Sequence, residues 1–150
     1  MDEKHNPRVL AQQCAAAMWP RDKASQSLHI KLVSMDEGRA VMTMEVKEYM
    51  LNGYALCHGG YVFALADDAF AYATNSQNQA AVASNCSIDF LRPAYLGDTL
   101  TARAEMLHQS ARTGLYDIVV TNADGDIVAR CRGRSTRINR PVIADENQQA

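Results

Sequence analysis

Apolar residues recur along this chain with two different periods, and the change of period divides it. Residues 7–18 carry Leu10, Cys14 and Ala17 or Met18 on one side with Pro7 at the first turn, the pattern of a short amphipathic helix that Pro20 ends. Residues 28–34 and 40–46 alternate apolar and polar positions around Asp36-Glu37-Gly38, which reads as two half-buried antiparallel strands joined by a tight turn. A loop over 47–57 leads to 59–75, where the period is helical again. Beyond it, 80–91, 99–109, 115–122 and 127–138 return to period two, separated by Arg92-Pro93, Gly97-Asp98, Thr113-Gly114 and Asp124-Gly125. One long helix beside five or six antiparallel strands, with no strand–helix alternation and no repeat, predicts an α+β two-layer architecture. It forms a single domain over 1–150, with its core at about 28–138 and a polar tail over 141–150.

Composition narrows the partners. A chain of 150 residues that is 47% hydrophobic has enough apolar surface for one core and no room for a second domain. The net charge is −2, and apart from Arg130, Arg132, Arg134 and Arg137 the basic residues are scattered, so broad nucleic-acid binding is not expected. No apolar run approaches the roughly 20 residues of a membrane span, which predicts a cytoplasmic protein with no membrane partner. Cys14, Cys57, Cys86 and Cys131 lack a C-x-x-C pairing, and His5, His29, His58 and His108 lack ligand spacing. Reduced structural thiols and no metal are expected.

The candidate chemistry lies in the long helix. It opens on Gly59-Gly60 after Cys57-His58, and it carries Asp67 in an otherwise apolar run. A carboxylate there is unfavourable unless it is paired, hydrated or used. Taking Phe63 as zero and about 100° per residue, Asp67 falls at about +40°, beside Phe70 and Thr74 at the edge of the apolar sector. Asp68 falls at about 140°, with Tyr61, Ala64 and Asn75, on a side expected to be solvated or interfacial. The pair therefore reads as one candidate and one control. The first N–H groups of a helix have no intrahelical acceptor, so Gly59 offers a donor for a carbonyl oxygen that develops charge. Eight residues along one helix span roughly 12 Å, too far for Gly59 and Asp67 of one chain to serve the same carbonyl. The spacing points instead to a site completed by the Gly59 end of a second subunit's helix across a twofold axis.

Several phrases of the sequence resemble the hotdog-fold thioesterases, most closely the phenylacetic-acid-degradation thioesterases. They are Met50-Leu-Asn-Gly, Cys57-His-Gly-Gly60, Leu65-Ala-Asp67, Phe70-Ala-Tyr-Ala, Ile88-Asp-Phe-Leu-Arg-Pro93 and Gly97-Asp-Thr-Leu, and the likeness runs from about Leu32 to Ile138. The resemblance implies a hotdog fold in which the sheet wraps the long helix, a homodimer with sheets joined edge to edge, and a homotetramer built from two such pairs. It implies hydrolysis of aryl-acyl-coenzyme A, of phenylacetyl or hydroxyphenylacetyl type, to the free acid and coenzyme A in phenylacetate catabolism, with no cofactor. Its functional positions fall on Asn52, Gly59 and Asp67, with Asp67 as nucleophile or general base. A serine that some relatives place on the following strand falls at Ala83, with Ser84 beside it.

Other candidates have plainer competitors. His58 sets the helix start more readily than it acts as a base, and Asn52 precedes Gly53 in a turn signal. Gly60, Tyr61 and Phe63, with Tyr54, are candidates for the substrate pocket, against ordinary core packing. Arg92 and Arg134, with Arg132 and Arg137, are candidates for coenzyme A phosphates, against an exposed strand face. A Cys57–His58 nucleophilic pair is not favoured, because neighbours on a loop rarely face one another. The alternative to an enzyme is a non-catalytic hotdog protein that binds acyl-coenzyme A or fatty acids, and Asp67 separates the two.

Overall fold

The computed structural model describes residues 5–145. Helix α1 (Pro7–Met18) is capped by Asn6, whose side chain accepts the Arg8 N–H at 3.0 Å, and it ends in a 3₁₀ turn, Trp19–Arg21. A second helix, α2 (Lys23–Ser27), follows. Periodicity does not predict it, because five residues are too few to show a period. Asp22 starts it by accepting the Ser25 N–H at 3.2 Å. The remaining elements are β1 (Lys31–Asp36), β2 (Arg39–Glu45), a 3₁₀ turn at Glu48–Met50, α3 (Gly59–Thr74), β3 (Ala81–Phe90), β4 (Thr99–Gln109), β5 (Thr113–Thr121) and β6 (Ile127–Arg137). Strand β1 begins three residues later than its pattern suggests, because Leu28 closes α2 and His29 takes a left-handed conformation, φ 54°.

The six strands form one antiparallel sheet in the order β1-β2-β4-β5-β6-β3. Helix α3 packs across one face. The inward positions Met42, Met44, Leu100, Ile118 and Val120 are fully buried against Leu65, Ala69 and Phe70 of the helix, each large side chain contributing roughly 1.5–3 kcal/mol by leaving water. Gly133 on β6 allows the helix to come this close, since a Cβ there would lie 2.8 Å from the Phe70 ring. This is the helix-against-sheet arrangement implied by the resemblance.

Strand β3 leaves its neighbours in sequence and crosses to the far edge, beside β6. Its outer side has no strand partner among the described residues, and its ends carry Val82 and Phe90, each 52% exposed. A bulge between Ala83 and Asn85 throws Ser84 out of register. At the other end of the sheet, α1 covers part of β1. Residues 141–145 add no helix or strand, and the rest of the expected polar tail lies outside the described residues. No helix among the described residues is long and apolar enough to cross a membrane.

Candidate active site

The loop before α3 is a closed turn built around Asn52. Its Oδ1 accepts the N–H groups of Tyr54 at 2.9 Å and Leu56 at 3.1 Å, while its own N–H donates to the Leu56 carbonyl at 2.7 Å. Asn52 is therefore the turn residue that Asn-Gly suggests, and the same bonds leave its NH₂ group without a partner among the described residues. His58 precedes the helix with φ −60° and ψ 135°, its N–H bound to the Met50 carbonyl at 2.7 Å. The ring is exposed and makes no capping bond. The first helical N–H bonded within the chain is that of Tyr61, to the His58 carbonyl at 3.0 Å. The N–H groups of Gly59 and Gly60 have no acceptor among the described residues, as expected of a helix start without a side-chain cap.

Gly59 borders a cleft of about 340 Å³ together with Asn52, Phe90, Arg92 and Ala94. The Phe90 ring lies against it: a Cβ on Gly59 would meet ring atoms at 3.0 Å. Asp67 borders a different and larger cleft, about 590 Å³, between α3 and β3, where it is joined by Met18, Phe70, Thr74 and Val82. The carboxylate is half-buried and makes no hydrogen bond among the described residues. Burial, and then the charge of Asp22, push its pKa above the ordinary carboxylate value. An unpartnered carboxylate of raised basicity facing an open cleft is suited to attack on an electrophile or to removal of a proton from water. Within one chain the two clefts do not share a lining residue.

Asp68 corrects the sequence reading. It is not on a solvated side but buried, 9% exposed, because α2 covers that face of α3. The Ser25 hydroxyl oxygen lies 2.6 Å from both Asp68 Oδ2 and Asp22 Oδ2, and the Tyr72 hydroxyl donates to Asp22 at 3.1 Å. Burial, opposed by the Ser25 hydroxyl and reinforced by the charges of Asp22 and Asp67, pushes the Asp68 pKa up to about 7. The helical angle of Asp68 is as drawn from the sequence. What the wheel lacks is the short helix that docks on it.

The remaining candidates divide. Arg92 reaches the Gly59 cleft, with its guanidinium donating to the Ile127 carbonyl at 3.2 Å. Gly60 faces open space, with nothing within 4 Å of a Cβ placed there. Tyr61 packs edge-on against Tyr49, ring centroids 5.9 Å apart, and Phe63 packs against the core; neither borders either cleft. Ala83 borders the Asp67 cleft, whereas the bulged Ser84 turns away and donates to the Arg134 carbonyl at 3.1 Å. The exposed Arg134 side chain borders neither cleft. Tyr54 is almost fully exposed. Cys57 is buried with its thiol pKa raised by burial and then by Asp98, the state of an unreactive thiol. Sequence reasoning missed Phe90 as the wall over Gly59, and Met18 as a cleft residue contributed by α1. The first lay within a quoted motif; for the second no local signal exists. Among the described residues no group of three His, Cys, Asp or Glu side chains is gathered to hold a metal.

Comparison with known proteins places this arrangement in a family. The sequence matches the thioesterase superfamily over residues 54–129, more than half the chain, and the chain belongs to that family, a thioester hydrolase of hotdog fold. It is 53% identical over 135 residues, 90% of this chain and 96% of the relative, to the acyl-coenzyme A thioesterase PaaI of Escherichia coli. The solved structure of E. coli PaaI, a protein of the phenylacetic acid degradation operon, superposes with a TM-score of 0.88, 54% identity and coverage of 89% of this chain and 97% of that one. A Streptococcus mutans protein solved with acetyl-coenzyme A superposes with a TM-score of 0.72 at 32% identity, covering 74% of this chain and 90% of that one.

Proposed function

We propose that this enzyme hydrolyses aryl-acyl-coenzyme A thioesters of the phenylacetyl or hydroxyphenylacetyl type, releasing the aryl acid and coenzyme A during phenylacetate degradation. The 53% identity to an acyl-coenzyme A thioesterase supports the substrate class. The reacting groups are Asp67 of one subunit and the Gly59 N–H of its partner in a homodimer. The thioester oxygen accepts the Gly59 N–H, which stabilises the charge that collects there, and the free NH₂ of Asn52 stands in the same cleft to donate a second hydrogen bond. Asp67 either attacks the thioester carbon, giving a mixed anhydride that water then opens, or takes a proton from the water that attacks it. Both routes break the C–S bond and expel the coenzyme A thiolate.

The observation that carries this reading is that the two unpartnered groups open into separate clefts of one chain. The exposed outer side of β3 lies between those clefts and offers the edge along which two sheets join. Two such dimers assemble into a homotetramer.

The test is complementation between two inactive variants. Asp67→Asn removes the carboxylate, and Gly59→Pro removes one N–H. Proline suits that position: the N–H has no acceptor to lose among the described residues, His58 already has the extended conformation that precedes proline, and the nearest atom to a Cβ there, at 3.0 Å, is the tip of the half-exposed Phe90 ring. Thiol release from phenylacetyl-coenzyme A is expected to be lost in each variant and partly restored once subunits exchange. No recovery after exchange is verified by mass would refute the shared site, and full activity of Asp67→Asn alone would refute the role of the carboxylate.

A further inference from the structure

The Asp67 cleft is bordered by two segments from outside the long helix and the sheet, the turn after α1 and the stretch after β6. Each contributes an arginine, Arg21 and Arg140. Among the described residues, neither guanidinium takes part in an ion pair, and neither donates a hydrogen bond; the three ion pairs are Arg39–Glu105, Lys47–Glu45 and Arg132–Asp117. Arg137, by contrast, is tied to Gln77 at 2.9 Å. Most other lining side chains are apolar or small, including Met18, Phe70, Val82, Ile138 and Val142. Among the described residues Asp67 is the one acidic residue bordering the cleft, and its pKa is raised by burial and then by Asp22. Two like charges brought to one cleft by separate segments, without a protein counter-ion, complement an anion supplied from outside.

We propose that Arg21 and Arg140 form an anion subsite at the wall of the Asp67 cleft, where they hold a carboxylate or phosphate group of the thioester substrate at a distance from the scissile carbonyl. The placement rests on the reading of Asp67 as the reacting group. Two parts of a substrate carry such an anion. One is a carboxyl at the far end of the acyl group, and the other is a phosphate of coenzyme A.

The double variant Arg21→Gln, Arg140→Gln separates them. Calorimetric titration with coenzyme A, with phenylacetate and with 4-carboxyphenylacetate uses unreactive probes, so it decides the subsite whether or not Asp67 is the reacting group. Loss of a charge-assisted contact weakens binding by about tenfold or more. If the subsite holds a phosphate, binding of coenzyme A falls by that factor. The KM for phenylacetyl-coenzyme A then rises, and turnover of S-phenylacetylpantetheine, which has no phosphate, is unchanged. If it holds an acyl carboxylate, only 4-carboxyphenylacetate and its coenzyme A ester lose by that factor. Binding of all three probes and turnover of all three esters within about twofold of wild type would overturn the proposal. A wild-type-like Asp67→Asn enzyme would instead overturn the assignment of the reacting carboxylate and leave the titrations to stand.

Discussion

The buried carboxyl of Asp68 makes the stability of this protein depend on pH in a direction opposite to that of most acidic residues. Ser25 has one hydroxyl hydrogen and lies 2.6 Å from carboxylate oxygens of both Asp22 and Asp68. When Asp68 is protonated, its proton completes a chain from Asp68 to Ser25 to Asp22; when it ionises, two carboxylates compete for one hydrogen. Asp22, held by Ser25 and Tyr72, is pushed below its usual pKa despite partial burial, so Asp68 is the member that keeps the proton. Its pKa is about 7 in the folded state against 3.8 as the ordinary value. The folded state therefore binds more protons between those values, and the stability contributed by Asp68, fully present below pH 3.8, is lost as pH rises through 7. At about 1.4 kcal/mol per pH unit, the loss between pH 5 and 8 is about 3 kcal/mol. For a domain of this size that corresponds to roughly 6–12 °C in Tm.

Asp68→Asn fixes the protonated state, since an amide donates to Ser25 at every pH. Thermal and urea midpoints measured from pH 4 to 8, at constant protein concentration, are expected to lie nearest one another for the two proteins at pH 4. The variant gains on the wild type steadily from about pH 4 to pH 7, by about 3 kcal/mol between pH 5 and pH 8, and is the more stable at pH 8. Parallel curves for wild type and variant across this range would refute the shared-proton chain, whatever the absolute slope of either.

Three further outcomes follow from the same geometry. Asp67→Asn is expected to lower kcat by about 10²–10⁴-fold while raising the melting temperature above pH 7, because a half-buried carboxylate with a raised pKa weakens the fold as it ionises; in the wild type, the acid limb of kcat/KM lies above the ordinary carboxylate range. Gly60→Ala is expected to add roughly 0.5–1 kcal/mol in urea denaturation and keep kcat/KM within about twofold, since its Cβ meets nothing and Gly60 borders neither cleft. Gly133→Ala is expected to destabilise by about 1–3 kcal/mol in the same assay, because its Cβ would lie 2.8 Å from the buried Phe70 ring.

The parts of this molecule legible in its sequence are those set by local patterns. The six strands and the long helix announce themselves through periods of two and 3.6, and Asp67 stands out as a charge among Leu65, Ala66 and Phe70. The turn chemistry of Asn52 and the helix start at Gly59 are likewise short-range. What the pattern does not contain is which surfaces later segments cover. Asp68 reads as solvated or interfacial until α2 is docked on it, and for Tyr61 and Phe63 the pattern leaves pocket and core packing both open, where the structure sets Tyr61 against Tyr49 and Phe63 against the core. Ser84 depends on a one-residue bulge, which reverses the alternation of β3 and has no signature in Ala83-Ser84-Asn85.

The separation of Gly59 from Asp67 along a single helix has a genetic consequence. On the shared-site reading, a chain carrying Gly59→Pro and Asp67→Asn together contributes a dead half to each of the two sites of any dimer that it enters. Such a chain, co-expressed with the normal one, is a dominant poison, and only dimers of two normal chains remain active. Each single variant poisons one site and leaves its dimer half-working. Placed on one copy, the two lesions silence both sites of a mixed dimer, and placed on two copies they leave one site working, the opposite order from two lesions in one continuous active site.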